Sequence, residues 1–198
     1  MKRVAVLASG RGSNLAALIA AQSTFSSYRV SLVLANTRDA GALEVAGRWG
    51  VEALCVPHRG LLRQTHEERL LTAIDGRDVD LLCLAGYMRI LSSDFIRALS
   101  IPILNIHPSL LPAFPGMHAQ RQAHDAGVRW SGATVHFVDA GLDTGPILLQ
   151  QPVRVKQDDT EASLSARILE AEQEIYPQAL NLVALAQYEI VGRRTRIL

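Results

Sequence analysis

The feature that most constrains the fold is the alternation of short apolar runs with helical patterns along the first half of the chain. Five runs have the length and composition of buried strands, at residues 4–8, 30–35, 52–56, 81–85 and 104–107. Helical patterns separate them, at residues 15–21, 40–49, 65–74 and from Ser92 or Ser93 to residue 99. Because strands that alternate with helices form parallel sheets, the sequence predicts a single-domain, Rossmann-like α/β fold. We expect a mostly parallel twisted sheet with helices on both faces.

The second half of the chain adds a long helix and a small hairpin-like C-terminal extension. Two hairpins are predicted, one from residues 133–138 and 147–155 and one from residues 188–191 and 195–198. Between them, residues 160–186 carry a helical pattern that Pro177 is expected to kink or break, because proline lacks the N–H of a helical hydrogen bond. In the earlier helix, Thr65 and Glu68 have the spacing of a capping box. No shift in composition marks a second domain, so residues 1–198 are predicted to form one.

Composition and charge exclude several classes of protein. Of the 198 residues, 48% are hydrophobic and 20% are charged, which is typical of a globular domain, and the net charge is +1. So small a charge gives no basic field for nucleic acid, and no apolar run has the length of a signal peptide or a membrane span. We therefore expect a cytoplasmic protein without nucleic-acid or membrane partners. Cys55 and Cys83 lie in apolar runs and are predicted to be small buried side chains.

A glycine-rich turn between the first strand and the first helix is a candidate anion site. The turn, residues 9–14, would gather backbone N–H groups at a helix N-terminus, where anions bind. No Gly-Lys-Ser/Thr sequence closes it, so it is not a Walker loop. Leu15 stands where a dinucleotide fingerprint has its third glycine, and Asn36 replaces the acid that holds a ribose. The turn therefore favours phosphate over NAD, although a plain turn with Ser13 or Asn14 capping the helix needs no ligand.

The second candidate site lies at the end of the strand at residues 104–107. Side chains on a strand alternate between its faces, so Asn105 and His107 are expected on the same side. Pro108 has no N–H for a sheet, so the strand should end there, at the edge where open α/β sheets bind ligands. The alternative is a strand end with two polar capping residues.

Asn105, His107 and Asp143 together suit acyl-type transfer through a tetrahedral intermediate. A histidine can hold or exchange a proton near neutral pH, an amide N–H₂ can stabilise an oxyanion, and a carboxylate beside an imidazole favours its charged form. The sequence has no Gly-x-Ser-x-Gly motif, and both cysteines are expected to be buried. We therefore predict direct attack of a substrate amine on a bound acyl donor.

A metal site is the competing use of the histidines. The four candidate ligands are His107, His118, His124 and His136. No His-Glu-x-x-His motif or paired cysteine spacing supports such a site, so we predict no metal. His58, His66 and His124 are each expected to be ordinary surface residues.

Four motifs give the chain a resemblance to the folate-dependent formyltransferases. They are Gly-Arg-Gly-Ser-Asn at residues 10–14, Gly-Tyr-Met-Arg-Ile-Leu at 86–91, Asn-Ile-His-Pro-Ser-Leu-Leu-Pro at 105–112 and Leu-Asp-Thr-Gly-Pro-Ile at 142–147. The resemblance covers nearly the whole chain in order, and the third motif with its downstream aspartate is highly specific for this superfamily. Phe-Pro-Gly-Met-His at 114–118 and the glycine turn favour the branch that acts on glycinamide ribonucleotide.

The resemblance implies formyl transfer from 10-formyltetrahydrofolate, as a co-substrate, to the amine of phosphoribosylglycinamide in purine biosynthesis. It implies that the catalytic residues are Asn105, His107 and Asp143. The residues implied to bind the acceptor are Gly12, Ser13, Asn14 and Glu172. Those implied to bind folate are Arg63, Met88, Arg89, Ile90, Leu91, Asn105, Asp139, Ala140, Gly141, Leu142 and Asp143. Thr134 is implied to place a hydroxyl near the loop of residues 139–143, and His136 to support Asp143.

The resemblance also implies a separate role for each catalytic residue. Asn105 and protonated His107 would stabilise the oxyanion. Asp143 would hold His107 charged and, through water, help to move a proton from the amine to the folate nitrogen. For Glu172 the alternative is a solvated helix face, and for Arg63 it is an ordinary loop arginine.

Three other functions stay open at this point. Methionyl-tRNA formyltransferase normally has a further C-terminal domain and formyltetrahydrofolate deformylase an extra N-terminal domain. Neither domain is expected here, because the first strand begins by Val4 and the sequence ends at Leu198. A binding module without chemistry is disfavoured by the intact Asn105, His107 and Asp143. We expect small-molecule partners only, and a monomer or homodimer.

Overall fold

The computed structural model describes all 198 residues and divides into two compact units, Met1–Leu104 and Asn105–Leu198. The boundary falls inside strand β5 (Ile103–His107). The prediction of one domain over residues 1–198 stays a prediction. No helix is both long enough and apolar enough to cross a bilayer.

The first unit is a parallel arrangement of strands and helices. Its complete strands are β1 (Lys2–Ala8), β2 (Tyr28–Ala35), β3 (Glu52–Cys55) and β4 (Leu81–Leu84), in the spatial order β3-β2-β1-β4. Its helices are α1 (Ser13–Ala20), α2 (Gly41–Arg48), α3 (Arg63–Ile74) and α4 (Ser93–Leu99), with a 3₁₀ turn at Ala21–Ser23. All three of its complete strand pairs are parallel. Residues 4–8 of β1 are fully buried, as expected of a continuously apolar central strand.

The second unit combines an antiparallel hairpin with a long helix. Its elements are the end of β5, α5 (Ala119–Asp125), β6 (Trp130–Phe137), β7 (Ile147–Arg154), α6 (Glu161–Ala184), β8 (Tyr188–Val191) and β9 (Arg194–Ile197). The strand order runs β5-β6-β7-β9-β8. The β6–β7 and β8–β9 pairs are antiparallel, whereas β9 joins β7 in parallel. Helix α6 packs against β6 and β7.

The predicted fold class is confirmed: the chain is an α/β protein with a mostly parallel sheet and a closing C-terminal hairpin. Strand β5 ends at His107, immediately before the proline that was predicted to end it. Cys83 is buried, as predicted, whereas Cys55 is only half-buried, and both are free thiols.

Two local predictions are wrong. The expected break in α6 is wrong, since the helix continues through Pro177, whereas a kink at this proline stays a prediction. Pro177 is buried, and α6 packs against β6 and β7, so tertiary packing of the helix offsets the lost hydrogen bond. The capping box at Thr65 and Glu68 is also wrong, because α3 begins two residues earlier, at Arg63, and its N-cap Leu62 has no capping side chain.

Candidate active site

Strand β5 carries two polar side chains, Asn105 and His107, in the part that belongs to the second unit. Asn105 and His107 alternate with Ile106, and both the histidine and the isoleucine are buried. Because the alternation of a strand has a period of two, Asn105 and His107 share a face. This agrees with the prediction, and the partners of each side chain show how the face is used.

Both ring nitrogens of His107 face hydrogen-bond acceptors. Nε2 lies 2.8 Å from the carbonyl oxygen of Phe114, and Nδ1 lies 3.4 Å from Oδ2 of Asp143. A carbonyl oxygen can only accept, so Nε2 carries a hydrogen and donates it to Phe114. Nδ1 is therefore the nitrogen that faces Asp143.

The Asp143 carboxylate is held between two imidazoles. Its Oδ2 accepts a 2.8 Å hydrogen bond from the backbone N–H of Gly116, and its Oδ1 lies 3.7 Å from Nε2 of His136. The Asp143 backbone is left-handed, with φ of +53°, a conformation that aspartate tolerates better than most residues. The carboxylate is thus fixed by backbone geometry and by a backbone donor.

His136 orients the amide of Asn105. Its Nδ1 lies 2.9 Å from the carbonyl oxygen of Phe137, so Nδ1 carries the hydrogen and Nε2 is free to accept. Nε2 lies 3.1 Å from Asn105 Nδ2, which donates to it. Burial lowers the pKa of His136, although the Phe137 carbonyl and Asp143 partly oppose that shift. A neutral His136 therefore fixes which way the Asn105 amide points.

Thr134 holds the turn that follows β5. Its buried hydroxyl donates to the carbonyl oxygen of Ser109 at 2.6 Å and accepts from the N–H of Leu111 at 3.1 Å. The Gln150 amide donates to the same hydroxyl at 3.0 Å and to the Leu111 carbonyl oxygen at 2.9 Å. No pattern in the sequence indicates Gln150, because only the pairing of β6 with β7 places it opposite Thr134.

Hydrogen bonds stabilise the loop of residues 139–143 and the residue that follows it. Oδ1 of Asp139 accepts from the N–H of Gly141 at 3.0 Å and from the hydroxyl of Thr144 at 2.7 Å. Arg193, in the turn between β8 and β9, donates to the Thr144 carbonyl oxygen at 3.2 Å. Leu142 projects from this loop with half of its surface exposed.

The first unit contains the predicted anion turn. Gly12 is the N-cap of α1 with φ of +83°, and a Cβ there would lie 2.8 Å from Cα of Ala42, so glycine is required. Ser13 and Asn14 are the first two residues of α1, and the N-cap position before them is occupied by Gly12, which has no side chain. The alternative that either of them caps α1 is therefore wrong. A cavity of about 450 Å³ adjoins the turn and is lined by Ser9, Gly10, Arg11, Thr37, Asp39, Gly41, Glu44 and Arg48.

Ser9 joins this turn to the loop of residues 86–91. Its backbone N–H donates to the carbonyl oxygen of Gly86 at 3.1 Å, and its hydroxyl accepts from the N–H of Met88 at 2.8 Å. Within the loop, Met88 and Ile90 are exposed while Leu91 is buried. The first unit therefore brings two of the predicted binding segments together.

The remaining predicted residues have distinct environments. Glu172 is buried on α6, so the alternative of a solvated helix face is wrong. Arg63 is exposed as the first residue of α3. No group of three or more His, Cys, Asp or Glu side chains is arranged to hold a metal ion. The absence of a metal from the reaction stays a prediction.

Comparisons with known proteins find formyl transferases and purine biosynthetic proteins. A protein-family model described as formyl transferase matches residues 2–180. The chain is 36% identical to the phosphoribosylglycinamide formyltransferase of Bacillus subtilis, over 91% of this chain and 93% of that protein. It is 45% identical to the trifunctional purine biosynthetic protein adenosine-3 of Drosophila melanogaster, over 92% of this chain. The chain spans only 14% of the length of that trifunctional protein.

Solved structures are similar over the full length of the chain. Glycinamide ribonucleotide transformylase 1 from Symbiobacterium toebii matches with a TM-score of 0.96 and 46% identity, over 100% of this chain and 94% of that one. Phosphoribosylglycinamide formyltransferase from Anaplasma phagocytophilum matches with a TM-score of 0.92 and 42% identity, over 99% and 94%.

Proposed function

The chain belongs to the formyl transferase family, and from this premise we propose that it transfers a formyl group from 10-formyltetrahydrofolate to the primary amine of N1-(5-phospho-β-D-ribosyl)glycinamide. The observation that carries the proposal is the buried cluster at the end of β5, in which Asp143 lies between His107 and His136, and His136 orients Asn105. The names of the B. subtilis and S. toebii relatives support the choice of acceptor. The products are formylglycinamide ribonucleotide and tetrahydrofolate.

Asn105 and His107 stabilise the charge that forms on the formyl oxygen. The amine attacks the formyl carbon, the C=O electron pair moves to oxygen, and a tetrahedral intermediate forms. The Nδ1–H of His107 and the Asn105 amide donate to this oxyanion, because the other donor of each side chain is already engaged, by Phe114 and His136 respectively. Asp143, 3.4 Å from Nδ1, acts on His107 through its charge and does not take this hydrogen. Preformed donors of this kind need no reorganisation when the charge develops.

Asp143 stabilises the charged form of His107 and relays a proton during the transfer. Its carboxylate stabilises the imidazolium form of His107, since it faces Nδ1. When the intermediate collapses, the bond from the formyl carbon to the folate nitrogen breaks and that nitrogen takes up a proton. Asp143, through water, relays this proton from the attacking amine, which must lose one.

The acceptor is bound through its phosphate and its amine. Backbone N–H groups at Gly12, Ser13 and Asn14 hold the phosphate at the N-terminus of α1, where the first helical turn contains no acidic residue. Glu172, buried on α6, contacts the glycinamide part of the acceptor. In the first unit, Arg63 and the loop of residues 88–91 contribute to folate binding, and Met88 and Ile90 offer exposed apolar surface. In the second unit, the loop of residues 139–143 contributes to folate binding, and Leu142 is its half-exposed apolar residue.

An acceptor panel tests the proposal. Purified protein is incubated with 10-formyltetrahydrofolate and either phosphoribosylglycinamide, methionyl-tRNA or no acceptor. We expect loss of the formyl group only with phosphoribosylglycinamide. Loss without acceptor would favour the deformylase, and loss only with methionyl-tRNA would favour the tRNA enzyme; either result would overturn the proposal. A cytoplasmic location, a metal-free reaction and a monomeric or homodimeric state remain predictions.

A further inference from the structure

Helix α3 buries two adjacent ionisable side chains that the proposed mechanism does not use. His66 is 1% exposed and Glu67 is 6% exposed. The prediction that His66 lies on the surface is therefore wrong. Polar groups this deeply buried are costly unless they are hydrogen-bonded, so their partners show what they stabilise.

Glu67 holds the end of the loop that follows β4. Its Oε1 accepts a 2.8 Å hydrogen bond from the backbone N–H of Ser92, and its Oε2 accepts from the hydroxyl of the same serine. Ser92 is also the N-cap of α4, since its hydroxyl accepts from the N–H of Phe95 at 3.1 Å. One carboxylate therefore fixes the point at which the loop ends and the helix begins.

His66 holds the beginning of the same loop. Its Nε2 lies 2.9 Å from the phenol oxygen of Tyr87. Burial lowers the pKa of His66, helped by the positive charge of Arg89, and burial raises the pKa of Tyr87. The contact is therefore a hydrogen bond between a neutral imidazole and a neutral phenol at neutral pH.

We propose that His66 and Glu67 are positioning residues that hold the loop of residues 88–91 in the conformation that binds folate. The two side chains follow each other on α3 and fasten the residues on either side of that loop, Tyr87 and Ser92. A loop held at both ends pays less ordering entropy when a ligand binds. This inference rests on the proposed role of residues 88–91 in folate binding.

The test removes the hydrogen bond between His66 and Tyr87 without removing the residues that meet the ligand. Tyr87→Phe deletes only the hydroxyl, His66→Leu deletes the imidazole, and His66→Gln keeps a hydrogen-bonding group near the position of Nε2. Glu68→Gln, on the exposed side of the same helix, is the matched control. In steady-state assays, Tyr87→Phe and His66→Leu should raise the KM for 10-formyltetrahydrofolate about fivefold. The kcat and the acceptor KM should stay within about twofold, and His66→Gln should recover most of the loss.

Binding of tetrahydrofolate, measured by calorimetry, gives a second readout that does not depend on turnover. We expect the Kd to rise in parallel with the folate KM in Tyr87→Phe and His66→Leu. If wild-type protein transfers formyl groups but both variants keep the wild-type folate KM and tetrahydrofolate Kd, the positioning role is wrong and the contacts serve stability alone. If the wild-type protein binds tetrahydrofolate but transfers nothing to phosphoribosylglycinamide, the proposed function fails, while a raised Kd in the variants would still support the positioning role.

Discussion

His107 offers only one of its ring nitrogens to chemistry, because the Phe114 carbonyl engages the other. Asn105 is restricted in the same way, since His136 accepts from its amide. Each of the two proposed oxyanion donors is thus oriented by one neighbour, and the Asp143 carboxylate lies between His107 and His136. A site built this way should be sensitive to the charge of Asp143 more than to its shape.

Asp143→Asn tests this dependence on charge. The amide is nearly isosteric and can still accept from the N–H of Gly116, but it cannot stabilise an imidazolium or take a proton. We expect kcat to fall about 1,000-fold, with both KM values within about threefold of wild type. Asp125→Asn, at an exposed acid on α5, should leave kcat unchanged. A decrease of less than about tenfold in Asp143→Asn would contradict the proposed role.

Among the secondary-structure elements, the first turn of α1 is the one whose effect on acceptor binding can be separated from its effect on stability. Its N-cap is Gly12, and its first turn contains no acidic residue. A new carboxylate at this end should stabilise the helix through its dipole while repelling a bound phosphate. Folding and acceptor binding can therefore be separated by one substitution.

Ser13→Asp should raise the KM for phosphoribosylglycinamide at least about tenfold while leaving the folate KM unchanged. Its thermal stability should equal or exceed that of the wild type, because the added charge favours the helix N-terminus. Ser13→Ala serves as the control for loss of the hydroxyl. Equal increases in both KM values in Ser13→Asp would undo the assignment of the phosphate to this turn.

The elements also show where sequence reasoning stops. The strand with Asn105 and His107, the glycine turn and the hairpins were predictable, because each depends on local periodicity or on proline and glycine chemistry. The contact of Gln150 with Thr134 was not, because it depends on the register of β6 with β7, which shifts at Val135/His136. The break expected at Pro177 does not occur, because the packing of α6 outweighs a local rule.

For the whole molecule, burial of ionisable groups couples stability to pH. Burial lowers the pKa of both His66 and His136, from a usual value of 6.5. In acid the unfolded chain therefore takes up protons that the folded chain resists. Stability from these groups is complete above the unfolded pKa and falls as the pH drops below it. His124 opposes the trend, since Asp125 and the Asp159 carbonyl raise its pKa.

Chemical denaturation at a series of pH values measures this coupling. We expect the free energy of unfolding to decrease from about pH 7.5 to about pH 5. His66→Gln should flatten the decrease, because one group that resists protonation is gone. His124→Gln should steepen it. A free energy of unfolding that is constant or rises over this range in the wild type would contradict the assigned environments of His66 and His136.

The fate of the formyl carbon tests the central claim most directly. The protein is incubated with 10-formyltetrahydrofolate labelled with carbon-13 in the formyl group, together with phosphoribosylglycinamide, and the products are identified by mass spectrometry. Direct transfer at the Asn105, His107 and Asp143 site predicts that the label appears in formylglycinamide ribonucleotide, in equal amount to the tetrahydrofolate formed. Recovery of the label as free formate, with the acceptor unchanged, would contradict it.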